Sequence, residues 1–115
     1  MKYRIGLVSM ALATCVQAQG FPVKPLKLVV GIAPGGGLDA STRIVASGLS
    51  KNLGQQVVVE NRAGAGGTIA AAGVANAAPD GYSLLYGTTS LLASQAMYDN
   101  LAFDPIRSFA PVAST

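Results

Sequence analysis

The sequence predicts an α/β fold in which a parallel sheet is flanked by helices. First, strand-like and helix-like patterns alternate along the chain in the order β-α-β-α-β-α. Second, the run Leu26–Ile32 is almost entirely apolar, which is typical of a strand covered on both faces. Third, a glycine-rich loop joins this strand to the first helix. Because each return passes through a helix, we expect parallel strands with right-handed crossovers.

The first residues resemble an export signal. Lys2 and Arg4 precede the short apolar run Ile5–Val16, and small residues end the segment at Ala18. We therefore predict a cleaved signal peptide at residues 1–18 and a folded part at residues 19–115. The apolar run is too short to span a bilayer. Two alternatives stay open: a buried N-terminal helix, and a lipoprotein signal in which Cys15 is acylated.

Charge and composition exclude several classes of function. The chain has eight basic and five acidic residues, but Lys2 and Arg4 leave with the predicted signal. The remaining chain is nearly neutral, so we expect no nucleic-acid or membrane-surface binding. The only cysteine, Cys15, lies in the signal, and there is no histidine. A histidine-based catalytic triad and a histidine-liganded metal site are therefore excluded. As separate expectations, which composition does not establish, we predict no metal, no cofactor and no enzymatic activity.

The first helix is predicted from about Leu38 to Leu53. Val45, Leu49 and Leu53 recur at helical spacing, with Ile44 beside them on the apolar stripe. Gly54 follows, and a glycine there commonly ends a helix.

The other elements follow from similar signals. Val57–Val59 is short and β-branched and predicts a second buried strand, and Tyr82–Tyr86 predicts a third. A second glycine-rich turn, Asn61–Gly67, leads into a helix of small residues from Thr68 to Ala78. The third helix opens at Gly87–Ser90, with Ser or Thr as its N-cap, and runs to about Tyr98. Residues 101–115 are predicted to be irregular.

The candidate site lies where the first and third strands end. If the strand order is 2-1-3, the loops that follow these strands flank a crevice at the carboxyl edge of the sheet. The first loop offers backbone N–H groups at the start of a helix, and the second adds hydroxyl groups, so together they suit a small carboxylate. Neither loop offers a nucleophile with a base beside it. The predicted binding residues are Pro34, Gly35, Gly36, Gly37, Asp39, Thr88, Thr89 and Ser90.

Each of these residues also has a structural interpretation. The three glycines could form only a tight turn, and Thr89 and Ser90 could only cap a helix. Asp39 falls in the first helical turn, where it could pair with Arg43 one turn later instead of touching a ligand. For Arg62 we expect a solvated or structural ion pair. Gly64–Gly67 could bind an anion at the start of the second helix, but we favour a packing role for it, because this turn follows an outer strand.

A dinucleotide site is the main alternative function. Gly35–Ala40 fits the pattern G-x-G-x-x-A, and Glu60 lies about twenty residues further on at a strand end, as in a Rossmann-type oxidoreductase. Ala33-Pro34 between strand and glycines weakens this alternative, as does the export signal. No G-K-[ST] follows, which excludes a P-loop.

Several stretches in order resemble the tripartite tricarboxylate transporter receptors, also called Bug-type extracytoplasmic solute-binding proteins. They cover almost all of the chain after the signal. The matching stretches are Pro25–Val30, Ala33–Asp39, Leu53–Arg62, Gly64–Gly67, Ala78–Leu85, Phe103–Pro105 and Phe109–Val112.

This resemblance implies a periplasmic-binding-protein-like fold and a periplasmic, non-enzymatic receptor. Such receptors hold a small carboxylate (a di- or tricarboxylate, an amino acid or an aromatic acid) between two strand–turn–helix pincers and pass it to a membrane permease. By position, Pro34–Asp39 is the first pincer, and Thr88, Thr89 and Ser90 line the same wall. Receptors of this family are much longer, so we expect part of the first of two lobes, a monomer, from a truncated reading frame. Such a piece is expected to bind weakly or not at all, and a non-functional remnant is the third hypothesis.

Overall fold

The structure, a computed structural model, describes residues 20–115. The predicted signal peptide and Cys15 therefore lie outside the described residues. Strands and helices alternate as the sequence predicts: β1 Leu26–Val30, α1 Gly37–Leu53, β2 Val57–Asn61, α2 Thr68–Ala75, β3 Ser83–Tyr86 and α3 Thr89–Met97. A short 3-10 turn, Ala65–Gly67, leads into α2.

The three strands form one parallel sheet in the order β2-β1-β3, which is the 2-1-3 order that the candidate site requires. In β1, Leu26, Leu28, Val29 and Val30 are buried, as expected for a central strand. One face of the sheet packs on α1, where Ala46 joins the core together with half-buried Val45, Leu49 and Leu53. The other side is closed by α2, which contacts β1 and β3 and carries buried Ala70 and Ala71.

Two burial predictions were wrong. Ile44 does not belong to the apolar stripe of α1, since its side chain is 74% exposed; small Thr42 and Ala46 face the sheet in its place. In β2, Val57 is buried but Val58 is 43% exposed. Alternate residues of a strand point to opposite faces, and β2 is an outer strand, so only the face that α1 covers is dry.

Element ends differ from the sequence expectation by a few residues. The helix α1 ends as predicted, because Gly54 adopts a left-handed conformation (φ 65°) and its N–H donates to the Ser50 carbonyl. The helix α2 ends at Ala75 and not at Ala78. The Asn76 N–H still makes its helical bond to the Ala72 carbonyl, but the Ala77 N–H donates to the Val74 carbonyl (3.0 Å), which tightens the last turn.

Candidate functional site

The carboxyl ends of β1 and β3 lie side by side, with Val30 paired to Tyr86. The chain leaves both strands for a helix, α1 at Gly37 and α3 at Thr89, so two helix starts share one edge of the sheet. The connections that follow β1 and β3 diverge at this point. Open α/β sheets bind ligands where the connections diverge in this way.

A cavity of about 260 Å³ opens at this edge. Its lining combines backbone, apolar side chains and three hydroxyl groups, without a charged side chain. The lining residues are Gly31, Ile32, Leu38, Gly66, Gly67, Leu85, Tyr86, Gly87, Thr88, Ser90 and Leu91. Because no cation lines it, an anion here would depend on amide and hydroxyl donors.

The three loop glycines differ in what the fold demands of them. Gly35 has a φ of 98°, which other residues rarely adopt, so the turn requires glycine there. Gly36 has an ordinary extended conformation (φ −86°, ψ 172°) and Gly37 begins the helix. A Cβ added at either would meet no atom within 4 Å. Neither conformation nor space therefore explains glycine at positions 36 and 37.

Both helix starts lack a side-chain cap. The N-cap of α1 is Gly36, which has no side chain. The N-cap of α3 is Thr88, but its hydroxyl bonds to the Ser90 hydroxyl (2.6 Å) and not to a backbone N–H. Among residues 20–115, no side chain accepts a bond from the first amides of either helix. Such free N–H groups and the helix dipole concentrate partial positive charge at one point.

Asp39 lies inside the loop and not in the cavity. Its side chain is buried and accepts three hydrogen bonds, from Gly35 N (3.1 Å), Arg43 Nε (3.0 Å) and Asn61 Nδ2 (2.9 Å). These bonds, those from Arg43 and Asn61 above all, lower the pKa of the Asp39 carboxyl from 3.8 to about 2. The predicted pair with Arg43 is confirmed. The Gly35 amide, which we expected among the donors to a ligand, donates to Asp39 in this structure.

The structure brings together only part of the predicted set. Thr88 and Ser90 line the cavity, and Thr89 is exposed in the first turn of α3. Pro34, Gly35, Gly36 and Gly37 are exposed on the loop beside the cavity but are not among its lining residues. Their neighbour Leu38 does line it.

Tyr86 is a lining residue that the sequence reasoning missed. It is the last residue of β3, immediately before the loop that was chosen, so its position at a strand end was the available signal. Hydrogen bonding with Thr115 (3.3 Å between the hydroxyl oxygens), and then with Ser41, lowers the pKa of the Tyr86 phenol. The Tyr86 hydroxyl is therefore engaged by Thr115 and Ser41, neither of which lines the cavity.

The second glycine turn has a packing role, as expected, and also lines the cavity, which was not expected. A Cβ placed on Gly31 would lie 2.5 Å from Gly67 Cα, so this turn lies directly on the end of β1. Gly66 and Gly67 thereby form part of the wall. The nearby Arg62 pairs with Glu60 (Nε to Oε1, 2.6 Å), the structural ion pair expected for it.

The acidic residue on which the dinucleotide alternative depends forms ion pairs with basic side chains of this chain. Glu60, the residue expected to bind a ribose, pairs with Arg62 and also lies 3.9 Å from Lys27 Nζ.

Within residues 20–115, no group of three acidic, cysteine or histidine side chains could hold a metal ion. In the same part of the chain, none of the helices is long and apolar enough to cross a bilayer.

A doubly wound parallel sheet with two open helix starts at its carboxyl edge defines one lobe of a periplasmic-binding-protein-like fold. BugD, solved as a periplasmic binding protein, superposes with a TM-score of 0.76 and 42% identity over 79% of this chain and 30% of its own. MatC of Rhodopseudomonas palustris, solved with bound malate, superposes with a TM-score of 0.75 and 43% identity over 80% of this chain and 32% of its own. An R. palustris protein solved with adipate is 37% identical, with a TM-score of 0.71, over 75% of this chain and 29% of its own.

The chain belongs to the tripartite tricarboxylate transporter family of receptors, whose sequence profile matches residues 41–115. A UPF0065 protein of Agrobacterium vitis is 46% identical over 92% of this chain and 31% of its own length. The protein BugT of Bordetella pertussis is 36% identical over 94% of this chain and 34% of its own length. The chain thus spans about a third of these relatives. They confirm the predicted family and fold, and their class, solute-binding receptors, favours a non-enzymatic role.

Proposed function

We propose that this chain forms one wall of a solute receptor and that it binds the carboxylate of a small organic acid through backbone amides. The observation that carries this proposal is the pair of glycines at the start of α1. Gly36 and Gly37 are glycine where neither dihedral angles nor space requires it. Without side chains, they leave the first amides of the helix open to an anion.

The charge distribution supports amides over side chains as the donors. The cation of the same helix, Arg43, already bonds Asp39 and also contacts Asn61 (Nη2 to Oδ1, 3.3 Å). A carboxylate at this edge would meet the N–H groups of Gly36, Gly37 and Leu38 on one side. The hydroxyls of Thr88 and Ser90 would meet it on the other side.

The family and its solved members support the ligand class. One neighbour was solved with malate and another with adipate, both small dicarboxylates. We propose a ligand of this class for the protein to which the chain corresponds, with a membrane permease as the partner that receives it. Periplasmic location after cleavage at Ala18, and a monomeric state, are parts of the same proposal.

The test is a titration of the isotope-labelled chain with malate and adipate, followed by amide NMR. This method detects the weak binding expected of one wall, with a dissociation constant of about 1 mM, equivalent to about 4 kcal/mol. The largest shift changes are expected at Gly36, Gly37, Thr89 and Ser90. The uncharged diamide of malate should produce none of them. If these amides do not respond, or if the changes centre elsewhere, the proposal is wrong.

A matched set of glycine variants tests the mechanism. Gly36→Ala and Gly37→Ala add a methyl group beside the open amides without strain, so they should fold normally and weaken malate binding several-fold. Gly48→Ala, in the middle of α1, also adds a methyl group in open space and should leave binding unchanged. Titration of the same samples with NAD addresses the dinucleotide alternative, which predicts saturable shift changes around Glu60.

A further inference from the structure

Asp39 joins three separate segments through one buried carboxylate. Its Oδ2 accepts from Gly35 N of the loop and from Arg43 Nε of α1, and its Oδ1 accepts from Asn61 Nδ2 at the end of β2. Arg43 also reaches Asn61, which closes the network. With 5% of its surface exposed and both oxygens engaged, Asp39 has no free acceptor for a solute.

The pattern of these bonds differs from that of an ordinary helix start. Asp39 is the third residue of α1, the position from which an acidic side chain usually reaches back to the N–H of the N-cap residue. Here it reaches one residue further, to Gly35. The N–H groups of Gly36, Gly37 and Leu38 have no partner in the part of the chain that the structure describes.

From this geometry we infer that Asp39 is a positioning residue: it fixes the glycine loop so that the first amides of α1 stay unpaired and exposed. The inference rests on the proposed function only where it concerns ligand affinity. Independently of any ligand, we infer that the Gly35–Asp39 bond restrains the loop, and that it does so separately from the general stability of the fold.

The geometry also accounts for a carboxylate at this position. Burying a charge is costly unless it is fully paired, and each Asp39 oxygen is paired here. Donors converge on it from the loop, the helix and the strand, so an uncharged acceptor with one oxygen would leave at least one of them weakened. A serine or threonine is too short to hold the loop, the helix and the strand at once.

The test compares hydrogen exchange and backbone order in the wild-type chain, Asp39→Ala, Asp39→Asn and Ala46→Gly. Ala46 lies in the core on the same helix and does not contact the loop, so Ala46→Gly is the control for a general loss of stability. In the wild type, the Gly35 amide should be protected and those of Gly36 and Gly37 should exchange freely.

In Asp39→Ala, protection of Gly35 should fall about tenfold relative to the core amides, because a charge-assisted hydrogen bond is lost. Order parameters of Gly35–Gly37 should fall as well. Asp39→Asn, which keeps one oxygen, should be intermediate and provides the comparison if Asp39→Ala does not fold. Ala46→Gly should lower the protection of core amides and leave the protection of Gly35 itself unchanged, so it should not reproduce the loss at Gly35 relative to the core. Unchanged loop order and an unchanged Gly35 ratio in both Asp39 variants would overturn the inference.

Malate titration of the same variants separates this inference from the proposed function. If the wild type binds malate, both Asp39 variants should bind it more weakly by about tenfold or less, whereas Ala46→Gly should match the wild type. If the wild type binds neither malate nor adipate, the proposed function fails, but the exchange and order measurements still decide the role of Asp39.

Discussion

Gly31→Ala is the substitution whose effect the structure defines most sharply. An added Cβ would lie 2.5 Å from Gly67 Cα, 3.2 Å from Gly67 O and 3.3 Å from Gly67 C. All three are backbone atoms, so no side chain can rotate away to make room. The end of β1 and the second glycine turn would have to separate.

The expected loss of stability follows from two opposing effects. Overpacking against a rigid neighbour typically costs about 1–3 kcal/mol. Replacing glycine by alanine restricts the unfolded chain and returns about 0.4–1 kcal/mol. We therefore expect Gly31→Ala to lower the free energy of unfolding by about 1–2 kcal/mol.

Urea denaturation followed by far-UV circular dichroism measures this change, with Gly48→Ala as the matched control. Gly48 lies inside α1 with no atom within 4 Å of an added Cβ, so this variant should gain about 0.5–1 kcal/mol. The two variants make the same chemical change with opposite expected signs. If Gly31→Ala is as stable as the wild type, the close approach of Gly31 and Gly67 is not a rigid contact, and the reasoning fails.

Three further predictions concern stability. The folded-state pKa of Asp39, about 2, lies below its ordinary 3.8, so its contribution is complete above pH 4 and is lost as the pH falls to about 2. Urea denaturation across this range should show that loss in the wild type, and Asp39→Asn should flatten it. Ile44→Gln should change the free energy of unfolding by less than about 0.5 kcal/mol, because Ile44 is exposed. Leu49→Ala, which removes a side chain packed against the core, should lower it by about 2 kcal/mol. Equal losses of the two variants in thermal melts would contradict this prediction. Tyr82→Phe removes the hydroxyl that accepts the Val23 N–H (2.9 Å), so it should cost about 1 kcal/mol and speed exchange of that amide; unchanged exchange would count against the bond.

Local chemistry carried much of the fold prediction. The apolar run into Val30, the alternation of strands and helices and the left-handed glycine at Gly54 each act within a few residues, and the structure has all of them. The parallel direction of the strands followed from general rules for helical crossovers, whereas the 2-1-3 order was only a condition of the predicted site. The exposed side of β2 could not be predicted in this way. Val58 has the same side chain as Val57 and Val59, and only the elements packed on the strand decide which of them is buried.

The candidate site was predictable in place but not in detail. Strand ends at a reversal of connections indicated the edge of the sheet at which the cavity opens. The bond between Asp39 and Asn61 joins residues 22 positions apart and depends on strand register, so no local pattern indicates it. The same holds for the contact of Gly67 with Gly31, which places the second turn in the cavity wall.

The uncapped start of α1 makes the helix less stable but leaves its first amides open. Position 36 would accept a serine or aspartate without strain, and such a residue would cap the helix for a gain of a few tenths of a kcal/mol over glycine. Its side-chain oxygen would then be a built-in competitor for any incoming anion. A chain made more heat-resistant by this route would hold its own side chain at the position where an anion would otherwise bind.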